Sequence, residues 1–148
     1  MSYPTEIDFA IVRIGDGTTP EVFTVVCGLE NATVNETANT SDRFRSDCEN
    51  PGRVPTRSVR VTGVQWDVTG SGVSNSDQIP LRKAALGKHR NYQIDAIEED
   101  GTDAGKLLGT FAGRGVMTAN NLNLQRTGDS TGDITIAGEN DLTWTPAA

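Results

Sequence analysis

The sequence predicts an all-β fold with one short helix. Hydrophobic residues make up 35% of the 148-residue chain, and 16 residues are glycine. Only about a dozen consecutive residues have the pattern of a helix, whereas short alternating segments bounded by turn residues recur along the chain. Low apolar content and frequent turns favour strands. Because one core typically serves a chain of this size, we expect a single domain spanning residues 1–148.

The N-terminal third predicts a hairpin followed by a polar strand. Ile7–Ile14 alternates as a strand, and Gly15–Gly17 with Pro20 makes its turn. The next strand, Val22–Cys27, is apolar on both alternations, which indicates that it is buried on both sides or passes between layers. Leu29–Asn39 is rich in threonine and asparagine. This composition predicts a strand that faces water or a neighbouring subunit.

A long irregular stretch, Ser41–Thr56, interrupts the strands. Loops longer than about 12 residues are uncommon in compact domains and are usually functional or disordered. Here an isolated aromatic residue lies between two cations, and acidic residues nearby offset the basic charge, which favours contact with protein over contact with DNA. We therefore predict a long loop at about residues 41–56 that is mobile in the free subunit and orders on assembly. The predicted contact residues are Phe44, Arg43, Arg45, Asp47 and Arg53.

The longest predicted strand is Arg57–Val73, and its alternation changes phase once. Apolar residues before Thr62 and after Gly63 occupy opposite phases, so we predict that the buried face changes here, at a bulge. Glycine suits a bulge because it lacks a Cβ, and replacing Gly63 by valine is expected to destabilise the subunit. The two sets are Val59 and Val61, then Val64, Trp66 and Val68.

One helix is predicted over Asn75–Gly87. Asn75 or Ser76 can cap it, Pro80 is tolerated in its first turn, and Gly87 can end it. The only histidine, His89, follows. Because it accompanies no nucleophile motif, phosphate-binding loop or zinc spacing, we expect no enzymatic activity and no cofactor.

The second half of the chain predicts further short strands, for a total of eight or nine. The strand Asn91–Ile97 ends at an acidic turn, Glu98–Asp103. Calcium could use such oxygens, but the spacing is not that of a helix–loop–helix site, so a solvated hairpin tip is favoured. The glycine-containing segment Lys106–Ala119 and the alternating pairs after it complete the prediction. The later pairs are Leu122 with Leu124, Ile134 with Ile136, and Leu142 with Trp144.

Charge and cysteine content limit the partners. The formal net charge is −7 and the sequence pI is about 4.6, which argues against wrapping DNA or an anionic membrane surface. An apolar run of about 18 residues would be needed to span a membrane, and neither this nor a signal peptide is present in the sequence, so we expect synthesis in a cytoplasm. Cys27 and Cys48 could form a disulfide, although thiols made in a reducing compartment more often stay reduced.

The passage Trp66–Val73 resembles the strand, glycine-serine turn and short helix of bacteriophage tail tube proteins. Upstream, Cys27–Leu29, the polar strand after it, and Asp47-Cys48 before a proline are similar to the first half of that family. The similarity covers roughly Val22–Leu86. It points to the major tail protein of long-tailed, non-contractile bacteriophages.

The resemblance implies a β-sandwich or barrel-like subunit with one flanking helix. Such subunits form hexameric rings that stack into a hollow tube. Part of each sheet joins its neighbours to line the lumen, long loops bridge rings, and DNA passes through without specific binding. The expected partners are further copies of the chain and the tail terminator, tape measure and baseplate proteins. The expected location is the virion tail, assembled in the bacterial host cytoplasm.

Two alternatives remain open at this point. One is a β-sandwich binding module, such as an adhesin or carbohydrate-recognition domain on a virion or cell surface. The other is the tube protein of a contractile injection system.

An acidic composition suits a lumen that must not retain DNA, because attraction to many phosphates would hold the DNA.

Overall fold

A computed structural model describes residues 3–148 as seven antiparallel strands in one sheet, with a short helical insertion. The strands occur in the spatial order β2-β1-β5-β6-β7-β4-β3. Their bounds are Phe9–Gly15 (β1), Phe23–Val25 (β2), Leu29–Phe44 (β3), Arg57–Val73 (β4), His89–Glu98 (β5), Lys106–Asn123 (β6) and Thr131–Pro146 (β7). The chain is therefore all-β with one short helix, as predicted.

The sheet curls so that its two ends approach each other. β1 contacts β3 although four strands, β5, β6, β7 and β4, lie between them in the sheet. The segment after β2 links the two ends, because Val26 N donates to Val12 O at 2.8 Å and Val73 N donates to Gly28 O at 2.9 Å. The result is a barrel-like subunit.

The core lies inside the curl and is centred on Trp66, which is 3% exposed. A Cβ added at Gly138 would overlap the Trp66 ring, and one added at Gly113 would lie 2.5 Å from it. Glycine at these two positions therefore makes room for the indole. The indole Nε1 donates to Glu139 O at 3.3 Å. The other buried core residues are Val12, Ile14, Val26, Val68, Ala85, Tyr92, Ile94, Met117, Ile134 and Ile136.

The helical insertion is a 3₁₀ turn, Ser76–Gln78, followed by helix α1, Ile79–Ala85. The Asn75 side chain accepts a hydrogen bond from Asp77 N at 3.1 Å, and Gly87 has a φ of 75° after the helix. The predicted cap and stop are therefore confirmed. Helix α1 is tied to β7 by Arg82, whose buried Nη2 donates to Asp133 O at 3.0 Å.

The prediction of eight or nine strands is wrong, because two predicted pairs of strands are continuous. β6 runs through its glycines to Asn123, and β7 runs from Thr131 to Pro146. Bulges keep these strands paired where the sequence suggests a break. The residues 140–142 lie opposite Gly113, and Asn140 adopts a φ of 57° there.

The predicted bulge in β4 is present, with Thr62 as the extra residue. Asn39 pairs with Gly63 and Thr40 pairs with Val61. However, the prediction that the buried face changes here is wrong, because the extra residue restores the phase and keeps Val61 on the face of Trp66. A Cβ at Gly63 would meet no atom within 4 Å, so the structure gives no steric reason for the expected loss of stability on substitution by valine.

The irregular stretch is shorter than the predicted Ser41–Thr56. Its first four residues complete β3, because Ser41 pairs with Arg60 and Phe44 pairs with Arg57. These polar residues form a strand because they pair with β4, and their composition alone did not predict this pairing. The irregular part is residues 45–56.

Candidate assembly surface

The outer half of the β3–β4 hairpin projects beyond the rest of the sheet. β4 pairs with β7 only over Asp67–Val73, so residues 37–44 and 57–65 pair only with each other. Every one of these residues is exposed except Gly63, which is half-buried. We call residues 37–65 the arm.

One face of the arm carries an apolar stripe. Directly opposed residues in an antiparallel pair share a face, and the register places Val64, Val61, Val59 and Phe44 on the face that continues from Trp66. Their exposures are 73%, 58%, 48% and 64%, respectively. These four residues, the arm stripe, extend the core-facing side of β4 into solvent.

The predicted contact residues occupy three different places. Phe44 is on the arm stripe, whereas Arg43 pairs with Ser58 on the opposite face. Arg45, Asp47 and Arg53 lie around a small cavity at the arm tip, beside the 81%-exposed Val54. Sequence analysis missed the three stripe valines as contact residues because their alternation is also that of an ordinary buried strand.

Asp47 stabilises the tip itself. Its carboxylate accepts hydrogen bonds from Glu49 N at 3.0 Å and from Asn50 Nδ2 at 3.5 Å. These bonds lower the pKa of Asp47 below its usual value, and the bond from Glu49 N has the largest effect. The pKa falls because the bonds favour the charged carboxylate. Asp47 therefore shapes the turn.

The arm is basic on an acidic body. It holds five arginines and three acidic residues, for a net charge of +2, whereas the whole chain carries −7 and the remainder therefore carries −9. Opposite charge on two parts of one chain favours contact between copies over self-repulsion. The arm's charged residues are Arg43, Arg45, Arg53, Arg57, Arg60, Asp42, Asp47 and Glu49.

The two cysteines are at opposite ends of β3. Cys27 precedes this strand and Cys48 follows it at the arm tip, and both are free and exposed. A strand that rises about 3.3 Å per residue places the two thiols roughly 50 Å apart, whereas a disulfide requires Cα atoms within about 7 Å. The possible disulfide between Cys27 and Cys48 within one subunit is therefore wrong.

The outward face of β3, β4, β7 and β6 is lined by short polar side chains. The register brings Thr33, Thr69 and Thr135 side by side, and Ser71, Asp133 and Asn121 in the next row. We call this surface the polar face. It comprises Asn31, Thr33, Asn35, Thr37, Asp67, Thr69, Ser71, Asp133, Thr135, Asn121 and Asn123, two of which are acidic and none basic.

This four-stranded part of the sheet ends in a free edge on each side. Within residues 3–148, the outer edge of β3 pairs with no strand. On the other side, β5 pairs with β6 only as far as Val116, which leaves residues 118–123 of β6 open. Open edges present rows of backbone donors and acceptors that can pair with another chain.

The described part of the chain gives little support for a metal site or a membrane span. Among residues 3–148, no group of three or more metal-binding side chains comes together. His89 lies against Glu139, with Arg114 Nε 3.9 Å from the same carboxylate. This is a surface ionic cluster. Neither described helical segment has the length and apolarity needed to cross a bilayer.

Solved structures with a similar fold come from phage-like tails and contractile injection systems. The chain is similar to the "tail of empty GTA particle", which has C6 symmetry in its description (gene transfer agent; TM-score 0.63, 16% identity, covering 90% of this chain and 95% of that one). It is also similar to a chain of the PVC extracellular contractile injection system "sheath-tube complex in extended state" (TM-score 0.66, 13% identity, 99% and 94% covered). A third similar structure is the SPP1 tail tube (TM-score 0.60, 10% identity, 97% and 80% covered).

No protein-family model matches the chain, and no curated protein matches it. The similarity to solved structures covers nearly the whole chain at low sequence identity, so it shows a shared fold. The fold is that of the tube proteins of phage-like tails and contractile injection systems. The resemblance to tail tube proteins seen in the sequence is thus confirmed at the level of the fold.

Proposed function

We propose that this protein is a structural subunit that polymerises as stacked hexameric rings into a hollow tail tube. The observation that carries the proposal is the arm, whose apolar stripe continues the core but has no partner layer in the monomer. Exposed apolar surface of this kind marks a protein–protein contact. A subunit whose core face continues beyond its own sheet becomes complete only in an assembly.

The polar face is proposed to line the lumen. Its free edges, on β3 and on residues 118–123 of β6, allow neighbouring subunits to extend one sheet around a ring. The residues of the polar face include Asp67 and Asp133 and no basic residue, which favours passage of DNA without retention. The nearest cations of the hairpin on the same side, Arg43 and Arg60, belong to the arm. Six subunits per ring follows from the resemblance and from the C6 symmetry of a similar tail.

The proposed location is a virion tail, assembled in the bacterial host cytoplasm. The proposed partners are the tail terminator, tape measure and baseplate proteins that tube proteins of this fold require. A non-contractile tail is the first choice because of the sequence resemblance to that family. The tube of a contractile injection system is the second candidate, because such a tube shares the fold over 99% of this chain.

Negative-stain imaging of the purified protein at increasing concentration tests the proposal. Rings or tubes are expected above a threshold concentration. A protein that stays monomeric at every concentration would instead support the alternative of a β-sandwich binding module. No enzymatic role is proposed.

Removing the arm tip provides a second test. A variant in which residues 45–56 are replaced by a short glycine turn keeps β3 paired with β4 and is expected to fold as a monomer. Long tubes are not expected, because the tip that reaches a neighbour is gone. Normal tubes from this variant would show that the tip has no assembly role.

A further inference from the structure

A second apolar surface lies on the outward face of the sheet, away from the polar face along β6. It is a cleft of about 740 Å³ on the outward face of β1, β5 and β6. Its apolar lining includes Phe9, Ile11, Ile97 and Leu107, of which Phe9 and Leu107 are 41% and 45% exposed. We call this surface the outer cleft.

The floor of the outer cleft is already neutralised. Asp95 is 5% exposed, and its carboxylate contacts Arg13 Nη2 at 3.1 Å and accepts a hydrogen bond from Thr110 Oγ1 at 2.9 Å. A buried carboxylate with both a cation and a donor needs no further partner. The floor therefore does not indicate a small charged ligand. The exposed apolar walls are the part of the cleft that a partner would cover.

An acidic turn borders the outer cleft. The turn between β5 and β6 carries four carboxylates within six residues, of which Asp103 lines the cleft, and Lys106 is its nearest basic residue in sequence. Asp8 holds this turn, because its Oδ2 accepts from Glu99 N at 2.7 Å. Asp100 also stabilises this turn, because its Oδ1 accepts a hydrogen bond from Thr102 N at 3.0 Å. The four carboxylates belong to Glu98, Glu99, Asp100 and Asp103.

The arm and the outer cleft are complementary in apolar surface and in charge. The arm presents an apolar stripe with Arg57 on the same face and Arg45 and Arg53 at its tip, and the cleft presents apolar walls beside an acidic turn. Both surfaces are exposed in the monomer, so no part of residues 3–148 covers either of them. We propose that the outer cleft of one copy receives the arm of a second copy. This inference rests on the proposed function and identifies the acceptor of the arm.

A different cleft near the start of β3 is a weaker acceptor. Its volume is about 460 Å³, and it exposes Glu30, Asp129 and Asp133. Apart from Val73 and Leu122, its lining is polar or glycine, so it offers charge without a surface for the arm stripe. It also borders the polar face, which is proposed to line the lumen.

Cysteine cross-linking separates the two acceptors. Cys27 is replaced by serine, so that Cys48 at the arm tip is the only native thiol. One new cysteine is then introduced as Asp103→Cys at the outer cleft or, as the matched control, Asp129→Cys at the other cleft. Both sites are exposed. Assembled particles are treated with a short bismaleimide, and dimers are measured on a denaturing gel.

The Asp103→Cys protein is expected to cross-link at least about tenfold more than the Asp129→Cys protein, because docking raises the local concentration of the two thiols. Equal yields, or a higher yield from Asp129→Cys, would overturn the outer cleft as acceptor while the tubes themselves still support the proposed function. Failure of the native protein to assemble at all would overturn both. Circular dichroism of each variant monitors its folding.

Charge exchange gives an independent test. Arg45→Glu with Arg57→Glu, at the tip and on the stripe face, is expected to raise the threshold concentration for assembly, and so is Asp100→Lys with Asp103→Lys. Combining all four substitutions restores opposite charge across the contact and is expected to recover assembly. If the combined variant assembles no better than either pair, the contact between these two surfaces is wrong.

Discussion

The inner and outer halves of the β3–β4 hairpin have the same sequence pattern and opposite environments. Val68 in the inner half is 0% exposed, whereas Val64, on the same face of the same strand, is 73% exposed. The difference arises because β7 joins β4 only over Asp67–Val73. Alternation thus determines the strand and its apolar face, but burial depends on a second layer. In the outer half, we propose, another copy of the chain supplies that layer.

The largest expected difference between the two halves is in folding stability. Trp66→Ala removes the centre of the core and leaves a cavity beside Gly113 and Gly138. It is expected to lower the free energy of unfolding by about 3–5 kcal/mol, the usual cost of truncating a buried tryptophan. Chemical denaturation of the monomer measures this loss.

Val64→Ala is the matched control, because it lies two residues away on the exposed part of the same face. It is expected to change the free energy of unfolding by less than about 0.5 kcal/mol. A loss of several kcal/mol in this variant would mean that the stripe is buried within its own subunit.

The second expected effect is on assembly alone. Val61→Asp places a carboxylate in the arm stripe, which is exposed in the monomer and covered in the tube. The lost burial and the cost of desolvating a charge are expected to raise the threshold concentration for tubes by about 100-fold, or roughly 3 kcal/mol. Light scattering against protein concentration measures the threshold. Thermal melting of the dilute monomer is expected to stay unchanged, and a large fall would contradict the comparison.

The third prediction concerns the alkaline stability of the core that covers the inner half, through Tyr92 of β5. Tyr92 is 0% exposed, and burial raises its pKa to about 12. In the unfolded chain a tyrosine ionises near pH 10. Because the folded-state pKa is the higher one, the stability is complete below pH 10 and falls as the pH rises from about 10 to about 12, by about 2–3 kcal/mol. Denaturation at several pH values measures the decline.

Tyr92→Phe is the control for this decline. Within residues 3–148, the Tyr92 hydroxyl has no hydrogen-bond partner, so its removal is expected to cost little at neutral pH and can increase stability. The variant is expected to lose less stability than the native protein between pH 10 and pH 12. Identical alkaline profiles would assign the decline to other groups.

The smallest expected effect is that of a reducing agent on the monomer. Cys27 belongs to the body and Cys48 to the arm tip, too far apart to be joined. The melting temperature is therefore expected to be the same with and without dithiothreitol, and intact-mass measurement after alkylation should show two modified thiols per chain. A monomer with no reactive thiol would require the arm to fold back along its own sheet.

Much of the fold could be predicted from local chemistry. The Asn75 cap, Gly87 at the helix end and the bulge at Thr62–Gly63 each depend on residues close in sequence, and each is present in the structure. The long strands β6 and β7 could not be predicted, because their continuity depends on pairing across the bulge at residues 140–142. Glycines in a sequence do not distinguish a turn from a bulged strand.

The candidate assembly surface was predicted only in part. Phe44 stood out because it is an isolated aromatic residue in a polar stretch, and it is on the arm stripe. The valines of the stripe have the signal of a buried strand, and only the position of β7 shows that they are exposed. The outer cleft had no local signal either, because Phe9 and Leu107 are nearly a hundred residues apart and come together through the sheet order.

The central claim is that the arm gains its covering layer only on assembly, and hydrogen exchange measures this most directly. Backbone amide exchange of residues 37–44 and 57–65 is compared between the dilute monomer and assembled tubes, with β5 as the internal reference. The arm amides are expected to exchange rapidly in the monomer, since an isolated two-stranded ribbon is marginally stable, and at least about 100-fold more slowly in tubes, whereas β5 changes little. Equal exchange of the arm in both states would contradict the account.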